Sequence, residues 1–441
     1  VLRGTATIGG AQPPAADRVR ANARRARADT VESIAVAAII FLTELVRSTT
    51  KLLTGDDGNT GPIAQVVFSA VYGFAGVRLW QMRGRFKASL ARLVPLLVFL
   101  GITLASTAWS VDPLTTFKDA VELIGTTVIA IYLACRFTLT QFLNVLVYTY
   151  GAISGVSALL VVASPGRGRT DWGAGPWCGM FIEKNGLGLA MALAEVSLVP
   201  LMLQTRGRRR WLIAALLVLS LALLVGANSI TALLICIAVA VLGAVAFALR
   251  ARKYGLVGAI LLATWMIGLV FAVVGFEQSQ FFGVLGRNSN LTGRTEIWPG
   301  LFTAIYDRPL LGFGFNVFFE ENGLFNQYLA SFLDEFFWVP PHAHNSFIQI
   351  ALDTGVLGLT SFIVVLVFGI GRAVRFFWVE RSFVSIWPLA VILFLVLGSY
   401  DEVYFEQPNT LQWILFAAAL LFPFRDAFAR SSATAIAALE A

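Results

Sequence analysis

The stretch Pro340-Pro341-His342-Ala343-His344-Asn345-Ser346-Phe347-Ile348-Gln349 holds both histidines of the chain. Imidazole exchanges its proton close to neutral pH, so a histidine on a defined scaffold is the first candidate for a general base. Ser346 with Gln349 three residues on has the spacing of a capping box, which predicts a helix starting at Ser346. The two prolines keep the preceding backbone extended. His344 then lies just outside a helix N-terminus, where unpaired N–H groups and the macrodipole favour negative charge and disfavour imidazolium. A neutral imidazole there can accept a proton, and an anion can bind beside it. The bland alternative is a polar residue at the mouth of a membrane helix.

Cationic candidates lie elsewhere in the chain. Arg294, in Gly293-Arg294-Thr295-Glu296 at the start of a helical piece, offers a planar fork of donors suited to phosphate oxygens. An Arg294–Glu296 surface pair is the competing reading. Lys184, in Glu183-Lys184-Asn185 where an outer loop enters a membrane helix, can snorkel or meet a phosphate. Arg167 and Arg169 add positive charge in a Gly/Pro-rich outer loop. Asp401 and Glu402, in the last outer loop, could orient a base or a sugar; for either alone a solvated turn is the simpler reading.

Other chemistries lack their residues. The chain has no GxxxxGK[ST] phosphate loop, no GxSxG elbow and no HExxH. Cys135, Cys178 and Cys236 stand at unrelated spacings, giving neither a zinc pattern nor a disulfide framework. With two histidines and no CxxC, neither a dedicated metal site nor a cofactor is expected. One candidate base and several cations beside lipid suit a leaving group that is already charged and already in the membrane. A lipid pyrophosphate fits, because its departure needs cationic stabilisation more than protonation.

The elements that must position these residues are apolar helices. The chain is 57% hydrophobic and 13% charged, with mean hydropathy +0.76. That composition excludes soluble domains and predicts an all-α polytopic membrane protein. The net charge of +7 does not point to nucleic acid, because the basic residues recur in short clusters between apolar runs. About twelve runs approach the length of a ~30 Å hydrocarbon layer. They are centred on Ile34–Val46, Ile63–Leu79, Leu93–Ala108, Phe117–Leu133, Phe142–Ala163, Gly186–Leu203, Trp211–Val225, Thr231–Leu249, Gly255–Val274, Val356–Ile370, Ile386–Gly398 and Thr410–Phe422. On this count the clusters at Arg83–Arg92, Arg206–Arg210, Arg250–Lys253 and Arg372–Arg381 fall on one side, the cytoplasm, with both termini.

The expected organisation follows. Residues 1–33 form a basic cytoplasmic tail without apolar period, expected to be disordered. It reads as a polar segment rather than a cleavable signal peptide, and the initial Val leaves the start of the chain open. Residues 34–274 carry spans 1–9, and 275–345 a long periplasmic loop with the catalytic elements. Residues 346–422 carry spans 10–12, and 423–441 a cytoplasmic tail. The aromatic content of the long loop predicts an ordered cap, with helical pieces near Glu296–Tyr306 and Asn326–Phe336.

The spacing His344-Asn345, nine residues, Gly355, two residues, Gly358 resembles the signature of the O-antigen ligase and polymerase (Wzy-C) superfamily. Similar pieces occur in the family's order over about residues 95–425. They are Trp109-Ser110-Val111-Asp112-Pro113, Gly179-Met180-Phe181 with Lys184-Asn185, Gly293-Arg294-Thr295-Glu296-Ile297-Trp298, and Pro309-Leu310-Leu311-Gly312-Phe313-Gly314. The resemblance implies a twelve-helix, metal-independent, inverting glycosyltransferase of GT-C type in the bacterial inner membrane, working on the periplasmic face. It implies a glycan on undecaprenyl pyrophosphate as donor, and a sugar hydroxyl on lipid A–core or a growing chain as acceptor. Chain-length regulators or flippases would be neighbours. His344 takes the place of the base, and Arg294 that of the pyrophosphate holder. Lys184 stands at a second basic position where the family more often has Arg, and Asp401 at a looser acidic one. Asn345 is the small polar residue of the signature.

Ligases, O-antigen or exopolysaccharide polymerases and protein oligosaccharyltransferases share these motifs. The combination in this chain looks most like the branch that includes exopolysaccharide polymerases. A secondary transporter is the reading from another class, kept open by Glu44, Asp119, Glu122 and Glu195 in or near helices. The absence of a detectable internal repeat counts against it.

Overall fold

The computed structural model describes residues 30–46, 48, 62–250, 294–320, 324, 328 and 340–423. Among these the chain forms no sheet, only an isolated bridge between Arg169 and Trp177. The helices are α1 (residues 30–46), α2 (Pro62–Gln81), α3 (Arg83–Ala105), α4 (Pro113–Arg136), α5 (Leu139–Ala163), α6 (Lys184–Gln204), α7 (Arg208–Gly226), α8 (Ile230–Arg250), α9 (Arg294–Asp307), α10 (Ser346–Val379) and α11 (Trp387–Gly398). A short apolar helix, α12 (Leu411–Pro423), follows. Local chemistry sets several of the starts. Asp112 accepts from Leu114 N at 3.1 Å and Thr115 N at 3.2 Å, with Pro113 in the first turn of α4. Thr138 and Gln141 close a capping box on α5.

Among the described residues, five helices are long and apolar enough to cross a membrane: α5, α6, α7, α8 and α10. This corrects the expectation of about twelve spans, and with it the twelve-helix GT-C-type architecture. Crossing takes about 20 apolar residues, whereas α11 has 12. The apolar part of α3 (Leu93–Ala108) and α12 are also short. Helix α4 is long enough at 24 residues but carries Lys118, Asp119 and Glu122. Helix α12 is apolar for another reason. Trp413, Phe416, Ala417, Ala418, Ala419 and Phe422 are fully buried in protein. A short apolar run reads alike in sequence whether lipid or protein surrounds it. The expected run Gly255–Val274 lies outside the described residues. The protein is all-α, polytopic and largely membrane-embedded.

One further expectation changes. Residues 30–33, placed in a disordered tail, are helical; Glu32 pairs with Arg78 at 3.3 Å and with Arg136. The helical piece near Glu296–Tyr306 is present as α9, while the piece Asn326–Phe336 lies outside the described residues apart from Tyr328.

Helix α6 is central, packed against α5, α7, α8 and α11. Helix α10 breaks at Gly355, whose φ of +64° is non-helical. A Cβ there would sit 2.3 Å from the Leu310 carbonyl carbon, so only glycine admits the turn segment that enters the break. Val356 N donates to Pro309 O at 2.8 Å, and Phe313 N to Leu352 O at 2.8 Å. The inserted segment therefore satisfies the backbone groups that the kink exposes. On its other side, Trp109 Nε1 donates to Leu311 O at 2.7 Å and Val111 N to Phe313 O at 3.0 Å. Three stretches far apart in sequence thus meet at one place.

Candidate active site

The helix after the histidines starts at Ser346 as expected, but its cap is Asn345. Asn345 Oδ1 accepts from Phe347 N at 2.9 Å and Ile348 N at 3.2 Å. The expected Ser346–Gln349 capping box does not form. Gln349 Oε1 accepts from Ala343 N at 3.0 Å, and Ser346 Oγ turns to the loop after α11, accepting from Tyr404 N at 2.9 Å. His344, next to the cap, has φ +50°, a conformation that turns the chain sharply into the helix.

That loop brings a carboxylate to both histidines. Glu402 Oε1 lies 3.0 Å from His342 Nε2 and 3.1 Å from His344 Nδ1. The rings meet edge to face, 4.4 Å between centroids. His342 Nδ1 accepts from the backbone N–H of His344 at 3.3 Å, which puts the His342 ring proton on Nε2. His344 Nδ1 faces the same Glu402 oxygen as a close charge contact, off the line of a hydrogen bond. A carboxylate this close stabilises the positive charge an imidazole gains when it takes a proton. The same three side chains offer ligand atoms within 4.8 Å of one another, a set that could hold a divalent ion. The sequence reading anticipated no such cluster, because His342 and His344 alone have no metal-site spacing.

A cavity of about 330 Å³ opens beside the histidines. Its wall carries the carboxylates of Glu44, Glu183, Asp353, Glu402 and Glu406, with no Lys or Arg among the described residues that line it. Asp353 accepts from Gln349 Nε2 at 3.1 Å. Glu406 is 4% exposed, and neither of its carboxylate oxygens has a hydrogen-bond partner among the described residues. Burial, with the Asp353 carboxyl nearby, pushes Glu406 well above the ordinary carboxylate range. Glu406 and Asp353 escaped the sequence reading; their one signal is an acid placed among apolar neighbours.

Residues 214–363 match the Wzy_C family model, described as O-antigen ligase. The match takes in the histidines, Asn345, the kink at Gly355 and the segment inserted there. A stretch of 89 residues is 35% identical to the exopolysaccharide production protein ExoQ of Rhizobium meliloti (strain 1021), covering 19% of this chain and 20% of that protein. This part of the chain is similar to the Wzy_C family. The matched stretch spans about a fifth of that relative's length.

The other residues expected of a Wzy_C site are distributed unevenly. Arg294 opens α9, and its side chain lies outside the described residues. One turn on, Trp298 docks this helix on the histidine loop, donating from Nε1 to Ala343 O at 3.1 Å. Lys184 opens α6 between Glu183 and Asn185, which line the cavity while Lys184 does not. Arg167 is exposed, and Arg169 lies over the Trp177 ring at 5.8 Å; neither lines the cavity. Asp401 is not among the residues lining the cavity, and the acid that meets the histidines is its neighbour Glu402.

Proposed function

We propose that this protein is an inverting glycosyltransferase that moves a glycan from undecaprenyl pyrophosphate to an acceptor sugar hydroxyl, on lipid A–core or on a growing O-antigen or exopolysaccharide chain. The observation that carries the reading is the Glu402–His344 contact of 3.1 Å on the wall of a cavity large enough for a sugar. In the reaction, His344 Nε2 takes the acceptor hydroxyl proton as that oxygen attacks the anomeric carbon of the donor. The bond from this carbon to the pyrophosphate oxygen breaks on the opposite face, so the configuration inverts. Glu402 stabilises the imidazolium that forms. Arg294 holds the departing pyrophosphate, with Lys184 as a second cation and Arg167 and Arg169 as a more distant positive field. Asn345 fixes the helix start beneath the base. Base and cations cover both charge changes, so the scheme calls for no metal or organic cofactor.

The two ends of single helices support a choice of face. Helix α6 begins at the cavity with Lys184 and ends before Arg206, Arg208, Arg209 and Arg210. Helix α10 begins at the histidines and ends among Arg372, Arg375 and Arg381. The positive-inside rule makes the arginine ends cytoplasmic, which supports a periplasmic active site on segment 275–345 in the bacterial inner membrane, with both termini cytoplasmic. The test supplies purified chain in lipid nanodiscs with lipid-linked repeat units, with and without lipid A–core, in EDTA. Extension or transfer in EDTA is the expected result. No product with any acceptor, or product only after a divalent ion is restored, would refute the scheme.

A further inference from the structure

We propose that the acid-lined part of this cavity around Glu406 and Asp353 is a subsite for an uncharged, hydroxyl-rich sugar at the acceptor end, and that it rejects acceptor ends bearing phosphate or carboxylate. The proposal rests on the glycosyl-transfer reading and adds the chemistry of the acceptor. A buried carboxyl without hydrogen-bond partners is costly, and among the described residues neither Glu406 oxygen has one. Gln412 Oε1, on the same cavity, is a second buried polar atom without a partner among the described residues. Two separate residues therefore present unmet polar atoms to one space.

The backbone holds Glu406 in place against its preference. Its φ is +60°, a left-handed conformation that costs a non-glycine residue free energy. The loop is pinned on both sides. Before it, Tyr404 N and Phe405 N donate to Ser346 Oγ at 2.9 and 3.3 Å. After it, Asn409 N donates to Thr126 Oγ1 at 2.9 Å and Asn409 Nδ2 to Glu122 Oε2 at 2.8 Å. Such over-determination is what keeps a strained residue at a ligand site.

The chemistry selects the ligand class. Burial and the Asp353 carboxyl hold Glu406 above the ordinary carboxylate range, and in its acid form it offers an O–H together with lone pairs. A sugar hydroxyl is likewise both donor and acceptor. The side-chain amide of Gln412 extends this pairing. A phosphate or carboxylate only accepts, and it would enter beside Glu44, Glu183 and Glu402, with no Lys or Arg among the described lining residues to offset the repulsion.

The experiment measures binding, so it needs no turnover. Saturation-transfer NMR on the full chain in nanodiscs would use gluco-, galacto- and manno-configured tetrasaccharides and their 6-phosphate and uronate counterparts. At least one neutral probe should bind, at least about tenfold more tightly than its anionic counterparts. Glu406→Leu should weaken that neutral probe about tenfold, while Glu406→Gln, which keeps a donor and an acceptor, should stay within about threefold of the parent. Thermal unfolding of both variants near the parent value confirms that the site, not the fold, was changed; if Glu406→Leu is unstable, the comparison rests on Glu406→Gln and on the parent's selectivity. Anionic probes binding as well as neutral ones, no binding by any neutral probe, or stabilisation by divalent ions in their place that Glu406→Gln removes would each overturn the proposal. Loss of transfer in His344→Ala with sugar binding intact would leave the subsite standing, whereas activity in His344→Ala would refute the mechanism alone.

Discussion

Ser346 Oγ and Ser399 Oγ lie 2.9 Å apart, and Ser346 N donates to Ser399 O at 2.9 Å. This double link ties the first turn of the helix behind the histidines to the loop that delivers Glu402 and Glu406. Both serines are fully buried. The base and its carboxylate come from different parts of the chain, and their separation depends on this junction.

Ser346→Val should therefore act at a distance. It removes the acceptor for Tyr404 N–H, and a buried unpaired donor costs about 1–3 kcal/mol. We expect a lower unfolding temperature in nanodiscs and a reduced transfer rate without loss of donor binding. Parent-like values of both would show that the junction is dispensable.

Removing the base should be more severe. His344→Ala is expected to lose transfer by roughly 10²–10⁴-fold while inserting normally. Glu402→Gln, which keeps the shape but removes the charge that faces the imidazoles, should lose on the order of 10²-fold or more. His342→Ala should cost less than either, since its ring meets the same carboxylate without being the base. Single-turnover assays on the three variants rank them directly, and a parent-like rate in His344→Ala would exclude it as the base.

The leaving-group assignment predicts a particular failure. If Arg294 grips pyrophosphate with both arms of its guanidinium, Arg294→Lys should fare nearly as badly as Arg294→Ala, because a point charge does not replace the fork. Transfer rates at saturating donor decide the matter. Full rescue by lysine would reduce Arg294 to general positive potential.

Membrane sidedness can be read without activity. A phosphatase fused after Asn290 should be active in the periplasm, and one fused after Arg209 should be inactive. The opposite pattern would move the histidine cavity to the cytoplasmic side.

Local signals carried part of this protein. Apolar composition specified a helical membrane protein, the spacing from His344 to Gly355 and Gly358 pointed to the family, and the helix start at Ser346 and most of α9 were legible from capping and periodicity. These features are written in neighbouring residues, where sterics and short hydrogen bonds decide the outcome. The number of long apolar helices was not legible, because α12 is as apolar within the protein core as it would be in lipid. Nor was the choice of Asn345 over Ser346 as cap, since Ser346 is drawn off by Tyr404 and Ser399. Which acid would face His344 was equally hidden. Asp401 and Glu402 are adjacent and chemically alike, and only the way the loop after α11 folds over α10 turns Glu402 toward the imidazoles. Contacts between distant segments depend on how whole helices pack, and tertiary structure alone decided them.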